Sequence, residues 1–173
     1  MIMKGAIFFS SKYGSTAEYA KWISEATGLP VFNIKDKMAD PSKYDFLILG
    51  SPIIYYKLSI HKWVKKHLQQ MDNKPIIFFS VSGAPAGEKL DGWIANSLPK
   101  YFIIHMNHVA LQGRQIPEQL TFYDRTMLKI AATFNKDPKA RKEEFEGFDF
   151  MDKSTIQPIV EMAKEFILIE TSA

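Results

Sequence analysis

Apolar and polar positions alternate in blocks along the chain, and the blocks predict strands and helices in turn. An apolar strand over residues 3–9 runs into the hydroxyl-rich turn of residues 10–16, then into a helical pattern over residues 17–27. In that helix Ala17, Ala20, Trp22, Ile23 and Ala26 fall mostly on one side, and Gly28-Leu29-Pro30 ends it. Residues 31–34 form a short apolar stretch, and residues 44–50 read as a fully buried strand ended by Ser51-Pro52. Ile60, Trp63, Val64 and Leu68 then recur at helical spacing, which predicts an amphipathic helix to about Met71. Residues 76–81 are apolar throughout, a fourth strand, and the small residues 82–87 after it make a loop. Leu90, Trp93, Ile94 and Leu98 share a helical face, and residues 108–113 are the best candidate for a fifth strand. Residues 101–106 fit strand, helix or lid equally well.

Beyond Gly113 the alternation is interrupted. Residues 121–134 read as helix, and residues 135–149 as a charged connection containing Gly and Pro. A last helix is expected from Ser154, where Ser154-Thr155-Ile156-Gln157 matches a capping box, with Ile159, Met162, Ala163, Phe166 and Ile167 facing the core. Five buried strands alternating with helices specify an α/β fold, a doubly wound parallel sheet with helices on both faces. One domain over residues 1–173 is expected, with an insertion after the fifth strand.

Composition narrows the chemistry without deciding it. The 173 residues are 46% hydrophobic and 24% charged, an ordinary globular balance. A formal net charge of +3 is too small an excess to indicate nucleic acid, and it suits acidic ligands or a membrane surface. With no cysteine, thiol redox, disulfides and cysteine-ligated metal centres are excluded, so any redox chemistry needs a bound cofactor. The first residues lack a signal-peptide pattern and no apolar run reaches bilayer-spanning length, so a cytoplasmic location is expected, with peripheral contact at the inner membrane face left open. Neither a Walker Gly-Lys-Ser/Thr nor a Gly-x-Gly-x-x-Gly pattern occurs, and no metal site is predicted.

Candidate chemistry gathers at the carboxyl ends of the strands. In the strand order 2-1-3-4-5 the switch point lies between the first and third strands, where the loops after strands one, three and four converge. The first loop offers the hydroxyls of Ser10, Ser11, Ser15 and Thr16, the backbone amides from Lys12 and Tyr13 onward, and Gly14 for close approach. Such a turn opening a helix holds a phosphate, or it simply caps the helix. The second loop, Ser51, Pro52, Ile53, Ile54, Tyr55 and Tyr56, supplies an aromatic platform, unless both tyrosines are ordinary surface residues. In the third, Ser82, Gly83 and Ala84 allow backbone groups to edge a ring. Phosphate site, platform and backbone edge together describe a pocket for flavin mononucleotide (FMN), and no catalytic side chain is expected because the flavin carries the chemistry. Arg114 and Arg125 are candidates for a substrate carboxylate or for salt bridges. His61, Lys62, Lys65, Lys66 and His67 make one helix basic outside, a solvated face or a docking face for an acidic partner or anionic membrane.

The segment from Ser11 to Thr16 resembles the phosphate loop of flavodoxin-like proteins, with Gly50-Ser51-Pro52 and Tyr55 where that family has its second flavin loop. Phe79-Ser80-Val81, Gly113 and the stretch from Tyr123 to Ile130 resemble the menaquinone-dependent protoporphyrinogen dehydrogenases of bacteria. The resemblance covers most of the chain and implies a flavodoxin-like fold, FMN as cofactor, and electron transfer from porphyrinogen through flavin to a quinone, a step of porphyrin biosynthesis. The strongly basic loop that the resemblance implies after strand four is missing, since residues 82–88 contain no Lys or Arg. The alternative is a flavodoxin-type electron carrier serving protein redox partners.

Overall fold

The computed structural model describes residues 2–168. In chain order, β1 (Gly5–Phe9) and α1 (Ser15–Thr27) lead to β2 (Val31–Asn33), β3 (Phe46–Ile54) and the two-residue β4 (Lys57–Leu58). Next come α2 (His61–Lys66), β5 (Ile76–Ser82), α3 (Glu88–Ala95), α4 (Lys100–His105) and β6 (Met106–Gln112). The last stretch holds β7 (Arg114–Gln115), α5 (Phe122–Phe134), α6 (Pro138–Glu146), β8 (Phe148–Asp149) and α7 (Gln157–Leu168).

Five strands form the expected parallel sheet in the order β2-β1-β3-β5-β6, with Phe9 level with Gly50 and Gly50 with Phe79. Because successive strand side chains point to opposite faces, each strand feeds two cores. Phe8, Leu49 and Phe78 pack with Leu58, Val64, Leu90, Ile94 and Phe102 under α2, α3 and α4. Ile7, Ile48, Ile77 and Phe79 pack with Tyr19 and Ile23 of α1 and with Ile159, Val160 and Ala163 of α7. Helices therefore cover both faces, as right-handed crossovers between parallel strands require.

Several elements depart from the sequence expectation. The third strand does not stop at Ser51-Pro52 but runs to Ile54 and folds back as β4, pairing Ile53 with Leu58. At Ser51 and Pro52, between the end of the β1 ladder at Gly50 and the start of the β4 ladder at Ile53, β3 is paired with β5 alone, an edge-like place where a proline is tolerated. The helix expected from Ile60 to Met71 is α2 followed by a separate 3₁₀ turn, Leu68–Met71. Residues 101–106 belong mainly to α4, anchored by the buried Phe102, so β6 starts at Met106 rather than His108.

The connection of residues 135–149 contains α6, whose start is set by Asp137 accepting from the Lys139 amide at 3.0 Å and by Pro138 in the first turn. Ser154 does not cap the final helix. Asp152 takes that place, accepting from the Ser154 amide (2.9 Å) and hydroxyl (2.7 Å) to open a 3₁₀ turn, and α7 begins at Gln157. The insertion after β6 is a unit of its own: β7 and β8 pair antiparallel as its neck, and α5 and α6 lie between them.

Candidate functional site

A cavity of about 410 Å³ opens at the carboxyl ends of β1, β3 and β5, within the range of small-molecule pockets. All three expected loops reach it, as does the insertion.

The first loop contributes Ser11, Lys12, Tyr13, Ser15 and Thr16. Gly14 occupies the N-cap of α1 at φ 95°, a left-handed conformation that a glycine adopts freely, and no side chain caps the helix there. The first turn of α1 therefore points its backbone N–H groups and positive dipole end at the cavity. Ser11 Oγ accepts from the Gly14 amide at 3.2 Å and shapes the turn. Thr16 is 1% exposed, and its Oγ1 has no partner among the described residues. A buried hydroxyl left unmade costs about 1–3 kcal/mol, so this atom marks a place for a ligand acceptor.

Ser10 and Ser51 do not form the cavity wall. They belong to a hydroxyl cluster beneath it, where Ser10 Oγ lies 2.5 Å from Ser59 Oγ and 3.5 Å from Ser51 Oγ. Ser51 Oγ also accepts from the Ile60 amide at 3.2 Å, so the cluster ties the ends of β1 and β3 to the start of α2. Ser15 accepts from the Arg114 amide at 3.2 Å, which fixes the insertion's neck to α1.

Pro52, Ile53 and Ile54 line the second side of the cavity, ahead of Tyr55 and Tyr56. The two tyrosines form the turn between β3 and β4 at φ 50° and 62°. Positive φ is uncommon for bulky residues, so the turn holds both rings in a strained, defined pose at the cavity edge. Tyr56 leans on Trp93 with ring centroids 5.4 Å apart, and Tyr55 meets Tyr123 edge-on at 6.3 Å. The third side is Ser82, Gly83 and Ala84. Ser82 Oγ donates to the Ala84 carbonyl at 3.2 Å, and the Gly83 carbonyl accepts from Gln112 Nε2 at 3.1 Å. A Cβ at residue 83 would stand 2.6 Å from the Phe148 ring, so glycine there lets β8 close down on the loop.

Asp124 is the residue that sequence reasoning missed. It is 8% exposed, accepts from Lys12 Nζ at 2.5 Å and from the hydroxyls of Tyr13 and Tyr55, and so joins the first loop, the second loop and α5. Burial opposes its ionisation, but the hydrogen bonds from Lys12, Tyr13 and Tyr55 outweigh burial and hold the carboxyl at about 2. Burial and the bond to Asp124 push the Tyr55 hydroxyl up, and the same carboxylate raises Lys12. Trp93, on the helical face it shares with Leu90, Ile94 and Leu98, also lines the cavity, with Leu120, Met127, Leu128 and Ala131 from the insertion.

The two arginines are already engaged. Arg114 lines the cavity and is paired with Glu18, and Arg125 donates to the carbonyls of Pro117 and Glu118, both at 3.0 Å. Among the described residues no cluster of three or more His, Asp or Glu could hold a metal, and no helix is long and apolar enough to cross a membrane.

A strand–turn–helix unit opening on a cavity at the switch point of a 2-1-3-4-5 sheet defines a class, and comparison with known proteins agrees. The flavodoxin domain family model matches residues 6–142, and the chain belongs to that family. It is 25% identical over 143 residues to the protoporphyrinogen IX dehydrogenase [quinone] of Escherichia coli strain K12, covering 74% of this chain and 78% of that one. The structure of general stress protein 14 from Treponema denticola, solved in complex with FMN, aligns with a TM-score of 0.52 at 12% identity, over 94% of this chain and 99% of that one. This second likeness is one of fold.

Proposed function

We propose that this chain is an FMN-dependent oxidoreductase in which flavin carries electrons from a reduced organic donor to a quinone. The observation that carries the proposal is the buried Thr16 hydroxyl, unpartnered at the uncapped start of α1. The ligand it awaits is an acceptor such as a phosphate oxygen. Ser11–Thr16 would hold the phosphate, the tyrosine turn would flank the ring, and Ser82, Gly83 and Ala84 would offer backbone groups to its edge, all of these stretches reaching the one cavity. FMN supplies reversible one- and two-electron chemistry when bound. The protein's share is to orient the ring, with the Asp124 hub fixing Tyr55, and to keep water from the ring with the insertion.

That roof favours an enzyme over a bare electron carrier. Leu120, Met127, Leu128 and Ala131 face the same cavity as the flavin loops and make a chamber for a small molecule, which exchange with protein partners does not require. Similarity to a quinone-dependent dehydrogenase supports a quinone as the acceptor and makes protoporphyrinogen the first donor to test. Contact with a membrane-borne quinone pool, through the exposed Lys62, Lys65 and Lys66 of α2, is part of the same proposal.

The test is reoxidation kinetics. FMN-loaded protein is reduced anaerobically and mixed with rising concentrations of menadione while the flavin absorption band is followed. A rate that saturates, as binding before transfer demands, is expected. A rate that stays proportional to menadione, with no donor among porphyrinogens, describes a carrier and overturns the proposal.

A further inference from the structure

Two polar atoms on the insertion side of the cavity wall have no hydrogen-bond partner among the described residues. Gln115 Nε2 and Glu144 Oε2 are buried without a hydrogen bond among the described residues, and both residues line the cavity. Glu144 is held through its other oxygen, which accepts from Asn135 Nδ2 at 3.0 Å. A buried donor and a buried acceptor are destabilising until something meets them. On lining residues, a ligand offering one acceptor and one donor does so.

The charges of the wall restrict that ligand. Lys12 is paired with Asp124 and Arg114 with Glu18, so each cation among the described lining residues already has its carboxylate. Glu144 adds a carboxylate with no ion-pair partner among the described residues, and the insertion lines the same cavity with the apolar Leu120, Met127 and Leu128. An anionic group placed there meets a like charge in an apolar setting, where repulsion is least screened. An uncharged ring meets apolar surface and two groups ready to hydrogen-bond.

We infer that the insertion half of the cavity is a subsite for an uncharged flat ring bearing a carbonyl, which accepts from Gln115 Nε2, and that Glu144 makes this subsite reject anions. The inference rests on the FMN oxidoreductase proposal for the other half of the cavity and names the ligand class for this half. A naphthoquinone has the required chemistry: carbonyls for Gln115 in the oxidised form and a hydroxyl for Glu144 Oε2 in the hydroquinone form. A larger donor with carboxylates keeps them at the mouth, outside this half.

The test compares two rings that differ chiefly in charge. FMN-loaded protein is dialysed to equilibrium against menadione or against 1,4-naphthoquinone-2-sulfonate. The wild type is expected to bind menadione about tenfold or more tighter, since like-charge juxtaposition strongly disfavours the sulfonate. Glu144→Gln shrinks that ratio by about threefold or more through better sulfonate binding, and Gln115→Leu weakens menadione by about threefold or more. Thermal unfolding checks that both variants fold. The subsite is overturned by a wild type that binds the sulfonate as well as menadione, by a ratio that Glu144→Gln changes less than this, or by menadione binding that survives Gln115→Leu intact. Flavin content of the same samples separates the levels: full FMN loading with any of these results removes the subsite alone, and a chain that takes up no FMN removes both.

Discussion

Replacing Asp124 with Asn tests whether one carboxylate fastens α5 to the loops of the cavity. The carboxyl sits at about 2 against an ordinary 3.8, so its charged form contributes at most about 2.4 kcal/mol to folding. The side chain of Lys12 is 40% exposed, so solvent screens part of that, and about 1–2 kcal/mol is expected at neutral pH. A depressed carboxyl gives stability that is full above its unfolded value and lost as pH falls through its folded value. The contribution is therefore intact above pH 5, about half gone near pH 3, and nearly absent near pH 2. Asn keeps the shape but not the charge, and an amide nitrogen in place of one carboxylate oxygen cannot accept from the Lys12 ammonium, which is a donor only. Urea unfolding of wild type and Asp124→Asn across this range measures the gap directly. A gap of about 1–2 kcal/mol at neutral pH that roughly halves by pH 3 and closes toward pH 2 is expected. Equal stability at neutral pH, or a gap that does not narrow on acidification, would refute the ion pair as the fastening.

Other outcomes follow from single contacts. Thr16→Val with Ser11→Ala weakens FMN binding by about 1–3 kcal/mol in a fluorescence titration, because the phosphate loses the hydroxyl that awaits it and the turn loses its Gly14 bond. Gly14→Ala costs about 1 kcal/mol in denaturant unfolding; a Cβ there meets nothing within 4 Å, so the loss comes from the positive φ. Gly83→Ala drives a methyl against Phe148 and destabilises by about 1–3 kcal/mol unless β8 moves, which proteolysis around α6 would report. Tyr55→Ala makes bound FMN more fluorescent by removing the nearby ring, whereas Tyr55→Phe keeps the ring and loses only the Asp124 bond.

The sheet was legible because its strands are buried on both faces and so read as unbroken apolar runs: residues 44–50 and 76–81 admit little else. The loops were legible because strand order places them. Position within a loop was not. Ser10 and Ser15 look alike beside Ser11 and Thr16 in the sequence, yet Ser10 serves the hydroxyl cluster below and Ser15 the insertion's neck. Asp124 shows the limit more sharply. Its helix is readable from residues 121–134, but the three groups that meet its carboxylate come from 69 or more positions away, and no local pattern encodes how an insertion folds back. Residues 135–149 hid a helix because α6 has no buried residue, so no apolar face announced it. At residue 154 two capping signals competed, and Asp152 prevailed over Ser154 because a carboxylate two residues earlier reaches both the amide and the hydroxyl of that serine.

The most direct measurement is a titration of the flavin-free protein with FMN, followed by absorbance and by quenching of flavin fluorescence, for the wild type and for Thr16→Val. One FMN per chain, bound by the wild type and held about tenfold or more less tightly by the variant, is the predicted result. No binding, or equal affinity in the two proteins, would contradict a flavin phosphate seated at the start of α1.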